Sequence, residues 1–253
     1  ENQIKTIRSF ISQRVDYIVF APVIETGWDT VLQEAKDAGI PVIVIDRKVD
    51  VKDESLYTTW IGTDAREEGK KAGRWLEQYL RKKNRQSDDI NIVVLQGTIG
   101  STAEIGRTEG FDEIAERHEN WYILESASAD FTATKRKEVM REMLRRYPSI
   151  DVLVSQNDDM TMGAIEAMQE AGVSFGQHGK VTVLSFDAIR DALEMVDEGL
   201  INVDIECNPV QGVYIDNIIK KLEDGEPVEK SYIVEENIFT KENVAEFLDS
   251  RTS

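Results

Sequence analysis

Thr26-Gly-Trp-Asp-Thr-Val-Leu-Gln-Glu-Ala-Lys-Asp-Ala38, then Gly39-Ile40, then Pro41-Val-Ile-Val-Ile45 closing on Asp46-Arg47, reads as one helix, one stop and one strand. A glycine after the last helical position, with proline two residues on, ends a helix. The apolar run Pro41–Ile45 is too short for a helix and lacks alternation, as expected of a strand covered on both faces. Similar runs stand at Tyr17–Phe20, Ile92–Leu95, Val152–Val154 and Val181–Leu184, with a further strand at Asn202–Glu206. Helical stretches separate them, one of them Met162–Ala171 before Gly172. This alternation predicts an α/β fold of parallel strands joined by crossover helices.

The chain opens on an amphipathic helix, Asn2–Gln13, whose Ile4, Ile7, Phe10 and Ile11 form an apolar stripe. A right-handed crossover helix needs a strand before it as well as after, so the expected first lobe is incomplete at its N-terminus. The alternative is a helix that caps a sheet edge.

The 253 residues carry 30 basic and 48 acidic side chains, a formal net charge of -18. Such a surface repels phosphate backbones and anionic membranes, so no nucleic-acid partner is expected. The single cysteine, Cys207, rules out an intrachain disulfide. No apolar run approaches the roughly 20 residues needed to span a bilayer.

In open parallel sheets, ligands lie beyond the carboxyl ends of the strands. The polar residues in those positions are Asp46 and Arg47, Asn157 with Asp158 and Asp159, Asp187, and Glu206. Carboxylates, an amide and a guanidinium gathered on one edge suit the paired hydroxyls of an uncharged polyol. The same residue types also serve as turn formers and helix N-caps, and Asp158-Asp159 suits the first turn of a helix. Arg47 has no turn role there and costs desolvation unless paired, which favours a ligand-facing position. Phe131 can offer its face to a sugar ring or join the core.

Signals for catalysis, metal or cofactor are poor. His118 and His178 are the only histidines, and neither has a metal ligand at suitable spacing. Gly97-Thr-Ile-Gly100 lacks both the third glycine of a dinucleotide fingerprint and the Gly-Lys-Ser/Thr of a P-loop, and reads as a hinge turn. Adjacent carboxylates are expected by chance among 48 acids, so they do not argue for a glycosidase. The reading is a non-enzyme without metal or cofactor.

A run of motifs in order carries a resemblance: Glu1–Lys5 with Arg8–Ile11, Ala21-Pro-Val23 with Thr26-Gly-Trp28, Ile45-Asp-Arg47 with Val51-Lys-Asp53, Leu95–Thr98, Arg107-Thr-Glu-Gly-Phe111, Ala129-Asp-Phe-Thr132, Gln156–Met160 and Gly163-Ala-Ile165. On these the chain resembles the ribose- and galactose-type sugar-binding proteins, the type I periplasmic binding proteins, most closely those for galactofuranose in ABC transporters. The resemblance implies two Rossmann-like lobes with a sugar held between them and closure by hinge bending. It implies a first lobe over 1–98, a second over 99–207, a return over 208–232 and a C-terminal crossing and tail over 233–253. It also implies that Arg47 and Arg107 grip hydroxyls, that Asn157 and Asp187 are ligand contacts, and that Phe131 flanks the ring. Ala188 stands where the family has glycine, and the family's glutamine near the third crossing falls around Glu206 and Cys207.

The implied partners are a monosaccharide and an ABC permease, with the protein a monomer outside the cytoplasmic membrane, free or lipid-anchored. The same fold also serves as the sensor of membrane histidine kinases and the effector core of sugar-responsive regulators, which is the second reading.

Overall fold

The computed structural model describes residues 2–129, 133–209 and 211–248. In chain order the elements are α1 (Asn2–Gln13), β1 (Ile18–Phe20), α2 (Asp29–Asp37), β2 (Val42–Ile45), β3 (Thr59–Gly62), α3 (Ala65–Lys82), β4 (Ile90–Gln96), α4 (Thr102–Ala115), β5 (Trp121–Ser128), α5 (Ala133–Arg146), β6 (Val152–Ser155), α6 (Asp158–Glu170), β7 (Thr182–Asp187), α7 (Arg190–Asp197), β8 (Val203–Glu206), α8 (Gly212–Glu223), β9 (Ser231–Ile233), β10 (Ile238–Phe239) and α9 (Ala245–Leu248). Contacts divide them into two units, Glu1–Thr63 with Asn208–Glu235, and Asp64–Cys207 with Glu236–Ser253.

The first unit is a sheet in the order β1-β2-β3-β9, with every neighbouring pair parallel. Successive side chains on a strand point to opposite faces. On β2, accordingly, Val42 and Val44 join Trp28, Val31 and Leu32 of the α2 region, while Ile43 packs with Ile218 of α8. Apolar residues on both faces are why this strand reads as an unbroken hydrophobic run. The helix anticipated over Thr26–Ala38 begins at Asp29, because Gly27 has φ +90° and breaks the turn. It ends as expected, with Gly39 at φ +72° and the Ile40 amide bonded to the Ala35 carbonyl at 3.0 Å.

The second unit is a six-stranded sheet in the order β10-β8-β7-β6-β4-β5. Only β10 runs antiparallel to its neighbour. Val152 and Val154 of β6 pack with Leu76, Phe111 and Ile114 of α3 and α4, and Leu153 faces Met140, Ile165 and Leu193 of α5, α6 and α7.

The first boundary, expected at 98, lies instead after Thr63. The reason is packing: β4 is hydrogen-bonded between β5 and β6, and α3 lies against α4. That helix pair approaches to backbone contact, since a Cβ at Gly69 would stand 2.4 Å from the Arg107 carbonyl oxygen. The return segment runs to Glu235 rather than 232, because β9 pairs with β3 and the Val234 amide bonds the Gly62 carbonyl at 2.9 Å. Gly97–Gly100 therefore lies inside the second unit and is no hinge. The Gly97 amide donates to Gln156 Oε1 at 2.9 Å and the Gly100 amide to Glu104 Oε2 at 3.0 Å, which pins the turn.

Candidate functional site

Five parallel strands of the second unit bring their carboxyl ends to one edge, the edge where such sheets bind ligands. Arg107 reaches this edge from α4. Its position three and four residues before Gly110 and Phe111 places it on the buried stripe of that helix, and it is 3% exposed. Nε donates to Glu68 Oε2 at 2.7 Å, Nη2 donates to Asp187 Oδ1 at 2.8 Å, and Nη1 bonds the Gln156 carbonyl. The guanidinium also lies over the Phe186 ring, 5.0 Å from its centroid. Burial works against the charged form, but the carboxylates of Glu68 and Asp187 outweigh it and raise the pKa above the ordinary arginine value. The result is a permanent cation held by α3, β7 and the residue that follows β6.

Asp187, with its side chain 32% exposed, is the carboxylate of this cluster that meets solvent. Burial raises its pKa more than Arg107 lowers it. Its φ of +109° and the +60° of Ala188 are left-handed conformations that non-glycine residues seldom adopt. Ala188 thus adopts a glycine-type backbone. Asn157 caps α6, its Oδ1 accepting from the Met160 amide at 2.9 Å. That cap starts α6 at Asp158, four residues before the predicted start.

Two predicted residues face inward instead. Asp158 is 1% exposed, with Oδ1 accepting from the Ser185 hydroxyl at 2.5 Å and Oδ2 from the Ile189 amide at 2.8 Å. Glu206 is buried, and its Oε2 accepts from both the backbone and side-chain nitrogens of Asn237 at 2.7 Å. Phe131 lies outside the described residues.

In the first unit, Asp46 has φ +64° directly after β2, and its carbonyl accepts from Trp60 Nε1 at 3.1 Å. Arg47 is exposed and donates from Nη1 to the Val23 carbonyl at 2.7 Å. The desolvation argument for Arg47 therefore does not apply, because water reaches it.

Glu68 and Gln156 escaped the sequence reading. Glu68 stands one turn before Ala72 on the stripe that continues through Leu76 and Leu80, and a charge interrupting such a stripe was the available signal. Gln156, also buried, donates from Nε2 to Thr108 Oγ1 at 2.7 Å. Glu68, Cys207 and Glu236 each place one atom within 4.8 Å of the others. That group does not make a cation site: Glu68 already holds the Arg107 guanidinium, and burial followed by the Glu68 charge pushes the Cys207 thiol up to about 12. Among the described residues, no helix is long and apolar enough to cross a membrane.

The profile of the periplasmic binding protein domain family matches residues 1–215. A galactofuranose-binding protein of Escherichia coli is 39% identical over 255 residues, covering 99% of this chain and 78% of the relative. Among solved structures, one from Mycobacterium smegmatis in complex with β-D-fucofuranose has 41% identity and TM-score 0.82, over 98% of this chain and 80% of that one. The periplasmic component of a Shewanella arabinose ABC transporter, bound to α- and β-L-arabinofuranose, has 37% identity and TM-score 0.85, over 99% and 82%.

Proposed function

The chain belongs to the periplasmic binding protein family, and from that premise we propose that it is an extracytoplasmic receptor that binds a monosaccharide and delivers it to an ABC permease. The ligand class we favour is a pentose or hexose in its furanose ring form, as the relatives for galactofuranose, fucofuranose and arabinofuranose suggest.

The observation that carries the proposal is the Arg107–Asp187 pair at the carboxyl edge of the second unit's sheet. Three of the five N–H donors of Arg107 have protein partners, and the rest, with the free Asp187 oxygen, offer donor and acceptor side by side. Adjacent sugar hydroxyls need that pairing, because each both donates and accepts. We propose Asn157 Nδ2 as a further donor to the sugar, and Arg47 and Asp46 as sugar contacts too. Asp158 and Glu206 act behind this layer by holding backbone. The receptor works as a monomer, without catalysis and without nucleic acid, in keeping with its net charge of -18.

Isothermal titration with D-galactose, L-arabinose, D-fucose and D-ribose tests the function. At least one sugar binds with micromolar or tighter affinity if it is right. Silence across the panel from folded protein refutes it.

A further inference from the structure

Asp158 opens α6 directly after β6, Asp204 lies on β8, and β7 runs between those two strands. Both are buried, Asp204 with no exposure at all. Together they hold two consecutive amides of the turn that follows Asp187: Asp204 Oδ1 accepts from Ala188 at 3.2 Å and Asp158 Oδ2 from Ile189 at 2.8 Å. Asp158 Oδ1 takes the Ser185 hydroxyl, whose oxygen lies 2.6 Å from Thr161 Oγ1. Asp204 Oδ2 is buried and, if both carboxyls are ionised, without a partner. Because the amides they hold are consecutive, the two carboxyls lie side by side in the core.

Among the described residues no cation faces this pair. The charged group bearing on both acids is Asp187 of β7, another carboxylate. Beyond it stand Arg107 of α4, already shared between Glu68 of α3 and Asp187, and Asp159 of α6, which bears on Asp187. Two adjacent buried carboxylates without a counter-ion repel each other and leave an acceptor unsatisfied, whereas one proton between them removes both costs.

We propose that Asp158 and Asp204 share a buried proton, donated by Asp204 to Asp158, and that this proton locks the left-handed turn that presents Asp187. The electrostatics of the two acids agree in direction. Burial first, then the nearby carboxylates, raise both acids above the ordinary aspartate value. Because the folded state binds the proton more tightly than the unfolded chain, the pair's contribution to stability is complete at acid pH. It is lost as pH rises through the folded values. If Asp187 contacts the sugar, as the proposed function has it, ligand affinity falls over the same range.

The test begins without ligand, by following carboxyl ¹³C and amide resonances from pH 4 to 9. We expect an aspartate carboxyl with a midpoint above about 6, against an ordinary value near 4, with the Ala188 and Ile189 amides moving at the same midpoint. Asp204→Asn keeps an oxygen for Ala188 and a donor toward Asp158, so it loses that titration and keeps those amides at their low-pH positions. Aspartate carboxyls that all titrate below about 5, or turn amides in Asp204→Asn that shift away from the low-pH positions, overturn the proposal. In a second arm D-galactose affinity is measured by calorimetry. The wild type weakens with rising pH by about tenfold, the effect of one lost buried hydrogen bond, while Asp204→Asn does not change. A wild type that binds none of the four sugars of the panel but shows the carboxyl titration strikes the sugar reading and supports the shared proton.

Discussion

Replacing Arg107 with methionine removes a guanidinium that is 3% exposed and leaves Glu68, at 1%, as an isolated buried charge whose Oε1 already lacks a hydrogen-bond partner. Breaking a buried pair by removing one partner typically costs about 3–5 kcal/mol, most of it from the stranded charge. For a chain of 253 residues, that corresponds to a fall in Tm of roughly 6–20 °C. Guanidinium denaturation followed by tryptophan fluorescence reads the effect, because Trp75 and Trp121 both belong to the second unit. A second variant separates stability from ligand binding. Arg107→Met with Glu68→Met removes both charges and recovers all but about 1–2 kcal/mol, since apolar replacements of a buried ion pair are often neutral. Neither variant recovers sugar binding. A single substitution within about 1 kcal/mol of wild type, or a double variant no more stable than the single one, refutes the account of this cluster.

Arg47→Ala changes stability by less than about 0.5 kcal/mol, because the side chain is exposed, yet weakens sugar binding about tenfold or more in calorimetry. Gly110→Ala would set a Cβ 2.0 Å from the Arg66 carbonyl oxygen; it forces α3 from α4 and costs about 1–3 kcal/mol by denaturation. Cys207, with its thiol pushed up to about 12, is a thiolate in only about one molecule in ten thousand at pH 8. Iodoacetamide at that pH therefore labels it far more slowly than free cysteine, by mass spectrometry.

The central strands were legible because their two covered faces leave continuous apolar runs, as at Val42–Ile45 and Val152–Val154. β5 was not, because this edge strand mixes Glu125, Ser126 and Ser128 with exposed Tyr122 and Ile123. The step between units at Thr63–Asp64 has no glycine or proline linker. Asp64 simply caps α3 by accepting from the Glu67 amide at 3.0 Å, and composition carries no trace of such a junction.

Within the site, Asp187 stood out as a polar residue after a strand. Asp158 was ambiguous, because an acid in a helical first turn looks the same in sequence whether it meets solvent or, as here, Ser185 and the Ile189 amide. Arg47 shows the converse: its sequence context suggested a desolvated cation, and only the fold reveals the solvent around it. Glu68 depends on the approach of α3 to α4 at Gly69 and Gly110, a tertiary contact that no local pattern encodes.

The most direct trial of the account is a crystal structure with whichever sugar of the titration panel binds best. It predicts a single ring whose hydroxyls lie within hydrogen-bonding distance of Arg107 and Asp187; a sugar seated elsewhere, with neither side chain touching it, contradicts the account.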